Sequence, residues 1–367
     1  MALGVRTSDP LRLDFSHVRL FQPGALERIS NCLRVGRRRG LAVHVVVPGT
    51  RNAANLGIFF DHGIGAQYSE HASSIGTKNG PATRALRRSL AFPNMVSTAE
   101  GGTVFESLSL AGLFVGQLPT DARFVSRDSA QIRILVDRWI AAASATSLGI
   151  PASSDLEAIC QIVLESILNV MDHSGKTEDD DITRVSSMLQ LRWIAISSLK
   201  VVPEGFSGED QSTKYLATMM ESHSDNRPKG FLEIGVVDDG VGIAARQSDD
   251  PEIYLQSSVV GERRALSEAL AAGGTIKLRR RDCYIDKVPG YGSERIAEAL
   301  IRLQGYASIR SGRLNAFLVG NSDDKSAGFD IDENVRSYIP GVISKILIPL
   351  GQRRLPKPRR PELERLF

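Results

Sequence analysis

Three polar side chains recur at intervals of four residues within an otherwise apolar stretch, DLEAICQIVLESILNVMDHSG. They belong to Glu165, Asn169 and His173, and Asp172 lies next to the last of them. On a helix of roughly 3.6 residues per turn this spacing drifts by about 40° per step, so the side chains form one stripe. Because burying unpaired polar groups costs several kcal/mol, we expect the stripe to face a pocket, a metal ion or a hydrogen-bond network. An internal polar network or a solvent-facing helix edge would explain the same residues.

A second group of candidate residues follows the β-rich run 231–237, where the chain continues as Asp238, Asp239, Gly240, Val241, Gly242. An aspartate at the end of a strand can present a carboxylate at the floor of a pocket. Alternate glycines, which lack Cβ atoms, let the backbone pass close to a ligand. The same residues are equally typical of a tight turn.

A pair of glycines, Gly290 and Gly292, directly precedes a second helical pattern that ends at Gly305. Glycines at the start of a helix leave backbone N–H groups and the positive end of the helix dipole available for phosphate. On its own, however, a G-x-G sequence before a helix says little about function.

The elements that must hold these residues are a buried helix and a set of strands. Ile159 and Val163 lie on one side of the first helical pattern with further apolar residues nearby, so this helix should be buried over most of its circumference. Ser154 and Glu157 form a capping box that predicts its start. The run PGVISKILIPL is typical of a final strand that closes the sheet.

A separate α/β unit precedes these elements. LRLDFSHVRLF alternates as a strand does, ALERISNCLRVGRRRG has helical spacing up to Gly40, and LAVHVVVP is a β-branched strand. This order predicts an α/β domain over residues 10–120, and a helix around 129–144 should open the second domain. Residues 353–367 form a basic, proline-rich tail of a composition typical of disordered termini.

Composition limits the class of protein. The chain has 367 residues, 42% of them hydrophobic and 24% charged, which is enough apolar material for two folded domains. Because 45 basic and 42 acidic residues give a net charge of only +3, the charge balance does not indicate nucleic acid binding. Three widely spaced cysteines do not indicate a disulfide framework, and no stretch has the pattern of a signal peptide or membrane span. We therefore predict a cytoplasmic protein with no membrane partner.

Four elements, in this order along the chain, resemble the GHKL (histidine kinase-like) ATPase superfamily over about residues 128–352. They are the buried helix, the aspartate-glycine turn, the glycine pair and the final strand. The resemblance implies a Bergerat-type α/β sandwich that binds Mg-ATP. The residues that match the three sequence boxes of this superfamily are Glu165, Asn169, Asp172 and His173 (N-box), Asp238, Gly240 and Gly242 (G1 box), and Gly290 and Gly292 (G2 box).

For the N-box, the resemblance implies a metal ligand and a base. Asn169 would ligate a Mg²⁺ ion that bridges the phosphates, with Asp172 and His173 beside it at the nucleotide site. Glu165 stands where hydrolytic members of the superfamily keep a general base, whereas sensor histidine kinases usually have Asn. This favours activation of water or of a hydroxyl group.

For the two glycine boxes, the resemblance implies contacts at opposite ends of the nucleotide. Asp238 would accept a hydrogen bond from the adenine amino group, and Gly240 and Gly242 would let the backbone approach the base. Gly290 and Gly292 would wrap the phosphates.

Two features depart from the pattern. The polar segment 204–229 is interpreted as an inserted loop between the N-box and the G1 box. The closing strand has Gly341 and Val342 where many relatives have Gly-Thr, so one hydroxyl contact on the phosphate side is missing. The arginine run 279–281 lies in the expected lid, where a solvated surface and a phosphate contact are the alternatives.

The N-terminal domain resembles, more loosely, a STAS-like α/β domain. STAS-partnered relatives include the anti-sigma serine kinases, whose N-box pattern E-x-x-x-N-x-x-x-H is present. The Asp-Ser phosphoacceptor turn is not, because the chain has Thr50, Arg51 and Asn52 there.

From these observations we predict an ATP- and Mg²⁺-dependent protein, a slow ATPase that acts as a nucleotide-dependent switch on a protein partner. Two alternatives stay open: a serine/threonine protein kinase of the anti-sigma type, and a nucleotide-gated interaction module without turnover. The sequence also leaves open whether the chain forms a homodimer.

Overall fold

The strands that can be described form two β-sheets in a computed structural model. The structure describes residues 10–16, 29, 32–33, 36, 40–47, 74–77, 80–81, 98–100, 103–109, 153–173, 187–195, 211–221, 227–238, 240, 242–248, 258–271, 292–320 and 328–351. Over these residues the chain has a mixed α/β architecture with helices packed on an antiparallel sheet.

The smaller sheet comes from the N-terminal segment. It contains β1 (Leu11–Asp14), β2 (Val43–Val47), β3 (Ser74–Thr77) and β4 (Gly80–Pro81), in that order. β1, β2 and β3 are parallel and β4 is antiparallel to β3. Ile29, Cys32, Leu33 and Gly36 are helical, so the predicted sequence of strand, helix and strand is confirmed here.

The larger sheet has eight strands whose neighbours are all antiparallel. Its strands are β5 (Thr98–Glu100), β6 (Thr103–Ser109), β7 (Ser187–Ala195), β8 (Gly230–Asp238), β9 (Tyr306–Gly312), β10 (Leu314–Val319), β11 (Asp330–Ile331) and β12 (Ile339–Leu350). Their order across the sheet is β11-β10-β9-β12-β8-β7-β6-β5. The final strand β12 therefore lies in the interior of the sheet, between β9 and β8.

Helices cover this sheet. They are α1 (Ser153–His173), α2 (Gln211–Glu221), α3 (Ile243–Ser248), α4 (Val259–Leu270) and α5 (Gly292–Leu303). α1 and α5 pack together on one face, where Leu232, Ile234 and Val236 of β8 meet Ile162 of α1 and Leu300 of α5. Every residue of β8 is buried, including Glu233, which agrees with the mostly apolar run 231–237 in the sequence.

The opposite face of the sheet is covered by α2, where Tyr215 contacts Phe231 of β8 and Tyr306 of β9. The interpretation of 204–229 as an inserted loop is therefore wrong for the helical residues 211–221. Polar residues dominate the segment, yet Tyr215 is 4% exposed and donates a hydrogen bond to the Gln304 carbonyl oxygen at 2.8 Å. Burial raises the pKa of the Tyr215 hydroxyl, which stays protonated as a donor.

A buried ion pair ties α4 to the hairpin between β9 and β10. Glu262 accepts hydrogen bonds from the backbone N–H and the Nε atom of Arg313, at 2.7 and 2.9 Å. Leu266 of α4 packs on Leu314 and Ala316 of β10. These contacts place α4 against the part of the sheet formed by β10 and β11.

The sheets do not follow the predicted division of the chain at residue 120. β5 and β6 precede that position, yet β6 pairs with β7 and so extends the larger sheet. The predicted helix around 129–144, the sequence at 50–52, the run 279–281 and the tail 353–367 lie outside the described residues. Within the described part of the chain, no helix combines the length and the apolar character needed to cross a bilayer.

Candidate functional site

Helix α1 positions two residues of the predicted stripe. Ile159, Ile162 and Val163 are buried against the sheet, and the helix continues to Glu165, which is 4% exposed, and Asn169, which is half-buried. From residue 158 to 166 every side chain is buried or half-buried, which confirms the predicted burial of this helix over that range. Of the stripe residues whose side chains the structure describes, Glu165 therefore lies inside the protein and Asn169 is partly covered.

The first residue of α5, Gly292, lies directly against this stripe. A Cβ atom built on Gly292 would lie 3.1 Å from Asn169 Oδ1 and 3.3 Å from Glu165 Oε2. Contacts of 3.1 Å are tighter than Cβ atoms normally make, so a glycine lets the start of α5 approach the polar side chains of α1. The fold thus brings together Glu165, Asn169 and Gly292, which the sequence places in two distant segments.

Among the described residues, two side chains donate hydrogen bonds to the Glu165 carboxylate. Gln161 Nε2, one turn earlier on α1, lies 2.5 Å from Glu165 Oε1, and Arg295 Nη1 of α5 lies 2.9 Å from the same oxygen. Arg295 is one turn beyond Gly292, so helix α5 provides both the glycine and the cation at this position. The pair carries no net charge, which offsets the cost of burying the carboxylate.

Sequence reasoning missed Arg295 and Gln161. The Gln161 contact had a local signal, because residues four apart on a helix are neighbours. A buried glutamate also requires a partner, but the chain contains 45 basic residues and nothing local identifies Arg295 among them.

At the end of β8, Asp238 forms a tight turn, which is one of the two interpretations of the sequence; the other is a carboxylate at the floor of a pocket. Its Oδ1 atom accepts a hydrogen bond from the Gly240 N–H at 3.0 Å, and the residue is 5% exposed. An aspartate that binds the backbone two residues later is a common turn former. Alternate residues of a strand share a face, so Asp238 lies on the same sheet face as Leu232, Ile234 and Val236, which is the face that α1 and α5 cover.

The second glycine of this turn is held against β9 and β12. Gly242 has φ +88°, a backbone conformation that side chains disfavour, and a Cβ atom there would lie 2.9 Å from Ser311 Oγ. The same Ser311 Oγ accepts a hydrogen bond from the Ile243 N–H at 2.8 Å. Ser311 is 2% exposed and was not identified from the sequence, because it lies in a run with no distinctive spacing.

The cross-strand register places Val342 of β12 opposite Asp238 of β8, and Ser311 of β9 opposite Val342. Val342, which stands where many relatives have Thr, therefore lies beside Asp238 at the end of β8. The hydroxyl group of Ser311 lies on the next strand, β9.

The remaining predicted residues are placed only in part. Gly240 is buried at the turn after β8. Asp172 and His173 are the last two residues of α1, but their side chains lie outside what the structure describes, as does Gly290. Among the described residues, no group of three or more His, Cys, Asp and Glu side chains is arranged to hold a metal ion. Comparisons of the chain with protein-family models, curated proteins and solved structures gave no match.

Proposed function

We propose that the chain binds Mg-ATP on the face of the larger sheet that α1 and α5 cover, and that it hydrolyses the nucleotide slowly as a switch. In this proposal the larger sheet, with β5 and β6, belongs to a GHKL-type ATPase domain, and the segment that forms the smaller sheet is a STAS-like unit of a cytoplasmic protein that acts on a protein partner.

The observation that carries this proposal is the contact of Gly292 with Asn169 and Glu165. The start of α5 offers backbone N–H groups and the positive end of a helix dipole, both of which favour phosphate. An amide oxygen and a carboxylate oxygen lie within 3.3 Å of the position of a Cβ atom on that same residue. A carboxylate beside an anion site is unfavourable unless a cation neutralises it, and Arg295 does this for Glu165. The Asn169 amide oxygen then suits a metal ion that accompanies the phosphate.

The polar residues at this position fit Mg²⁺. This ion prefers oxygen ligands and usually takes only one or two from the protein, with phosphates and water completing its shell. Asn169 Oδ1 is such an oxygen and lies beside the helix start. When bound, Mg²⁺ would neutralise phosphate charge, and Asn169 would orient it from α1.

At the other end of the ligand, Asp238 suits the adenine base. A buried carboxylate accepts hydrogen bonds, and the adenine amino group donates them. The turn formed by Asp238, Gly240 and Gly242 keeps backbone without Cβ atoms near this carboxylate. The base would therefore be recognised at the end of β8 and the phosphates at the start of α5.

Hydrolysis is favoured over binding alone by Glu165, a buried carboxylate within reach of the helix start. A carboxylate at that position can take the proton of a water molecule that attacks the terminal phosphate.

The test is a titration of the full-length chain with ATP, with and without Mg²⁺, followed by analysis of the products. Tighter binding with Mg²⁺ and release of ADP and inorganic phosphate are expected. Phosphate transfer to a protein would favour the kinase alternative, and ATP binding without turnover would favour the gated interaction module. A chain that binds no ATP in either condition would contradict the proposal.

A further inference from the structure

The two oxygens of the Glu165 carboxylate have different surroundings. Oε1 accepts both hydrogen bonds, from Gln161 Nε2 at 2.5 Å and from Arg295 Nη1 at 2.9 Å. No described residue donates a hydrogen bond to Oε2, which is the oxygen near Gly292. The carboxylate is therefore oriented with one oxygen held and the other directed at the start of α5.

The two donors differ in kind. Gln161 belongs to the same helix as Glu165 and is neutral, whereas Arg295 reaches across from α5 and is a cation. Both bonds are charge-assisted because the acceptor is a carboxylate, and Arg295 adds the attraction between two opposite charges. The Glu165 side chain is 6% exposed and the Arg295 side chain 32%, so water competes weakly for the carboxylate. Arg295 is thus the donor that ties the orientation of the carboxylate to helix α5.

We propose that Arg295 is a positioning residue for Glu165. By holding Oε1, it keeps Oε2 in place to act as the base at the terminal phosphate. The inference rests on the proposed function, since it concerns turnover at that site. It also gives α5 a second role, because the helix that binds phosphate at Gly292 would orient the base through Arg295.

In the step that this arrangement serves, the oxygen of a water molecule forms a bond to the γ-phosphorus atom of ATP. The bond from that phosphorus to the bridging oxygen breaks, and its electron pair leaves with ADP. The water proton passes to Glu165 Oε2, giving inorganic phosphate, and is later released to solvent. Arg295 takes no proton and touches no reacting atom in this step.

The experiment is a double-mutant cycle on turnover in the full-length chain. Arg295→Gln removes the charge while keeping a long polar side chain, and we expect kcat to fall by roughly 10²-fold, since small errors in the position of a catalytic group cost about that much. The Kd for ATP should change by no more than about threefold, because Arg295 does not bind the nucleotide. In a Glu165→Gln background, where no base is left to position, Arg295→Gln should cause little further loss.

Arg295→Lys is the conservative partner variant. Its single ammonium group can still reach Oε1 but lacks the planar fork of arginine, so an intermediate kcat is expected. Should Arg295→Gln fail to fold, the cycle is run with Arg295→Lys and the same criterion. Arg264→Gln is the matched control, since Arg264 forms an exposed pair with Glu268 on α4 and should leave kcat unchanged.

Equal losses from the Arg295 variant with and without Glu165 would overturn the inference and leave the ATPase proposal standing. A parent chain that binds ATP without turnover would overturn this inference but not ATP binding. A parent chain that binds no ATP would overturn both.

Discussion

Arg295 Nη1 of α5 lies 2.9 Å from Glu165 Oε1 of α1, and the two residues are 130 positions apart in the chain. The contact links the helix that starts at Gly292 to the helix that carries Asn169. Any ligand that moves the start of α5 relative to α1 would therefore strain or shift this pair.

Glu165→Gln should lower ATP turnover by roughly 10² to 10⁴-fold while leaving the Kd for ATP within about threefold, because an amide keeps the shape but cannot accept the proton. Glutamine is preferable to alanine, since alanine would leave Arg295 facing a cavity. The measurement is steady-state turnover beside a binding titration. Glu268→Gln, in an exposed pair with Arg264 at 2.8 Å, is the control. Turnover close to that of the parent would make the Glu165 carboxylate structural.

Asn169→Ala should reduce the gain in ATP affinity that Mg²⁺ provides by about tenfold, or about 1.4 kcal/mol, because an oxygen ligand is lost. Affinity measured in EDTA should change much less. Titrations by calorimetry in both conditions give the comparison, and Asn334→Ala in the exposed loop after β11 serves as the control. If affinity falls equally with and without Mg²⁺, Asn169 is not a metal ligand.

Asp238→Asn should weaken ATP binding by roughly 10- to 100-fold, corresponding to the loss of about 1.5–3 kcal/mol from a hydrogen bond to a charged group. The fold should survive, since asparagine retains an Oδ1 atom that can accept the Gly240 N–H bond. Thermal unfolding without nucleotide checks the fold, and a titration checks the affinity. Asp330→Asn, exposed on β11, is the same change at a distant position. Unaltered affinity in the folded variant would remove Asp238 from the adenine site.

Gly242→Ala should lower the free energy of unfolding by about 1–3 kcal/mol, because its φ of +88° disfavours a side chain. The new Cβ atom would also lie 2.9 Å from Ser311 Oγ and disturb its bond to Ile243. Urea unfolding measures the change. Gly328→Ala is the control, since nothing lies within 4 Å of a Cβ atom there. Equal midpoints for the two variants would show that the turn tolerates a side chain.

Several parts of the fold could be predicted because they are encoded locally. The apolar spacing of α1 and the mostly apolar run of β8 each report burial within one element, and apolar, β-branched runs report the strands at the N-terminus. The same holds for the candidate site, where Glu165, Asn169 and Asp238 stood out as polar groups in apolar surroundings.

Other parts of the fold were predicted wrongly or not at all, because a polar segment can contain a short amphipathic helix that its composition does not indicate. Tyr215 anchors α2 through one hydroxyl and one ring, which a polar window of sequence does not reveal. Strand β6 joins the larger sheet by pairing with β7, and β5 pairs with β6. Such backbone hydrogen bonds carry little information about side-chain identity.

The sequence by itself determined which residues are polar in buried elements and where glycines permit close approach. Only the tertiary structure decided that Gly292 meets Asn169, that Ser311 holds the turn at Gly242, and that Arg295 is the partner of Glu165. The physical reason is that periodicity fixes which side of an element faces inward, whereas partners from distant segments depend on strand order and register. No local sequence pattern identifies Arg295, 130 positions away, as the partner of Glu165. The two residues meet only because α5 packs beside α1.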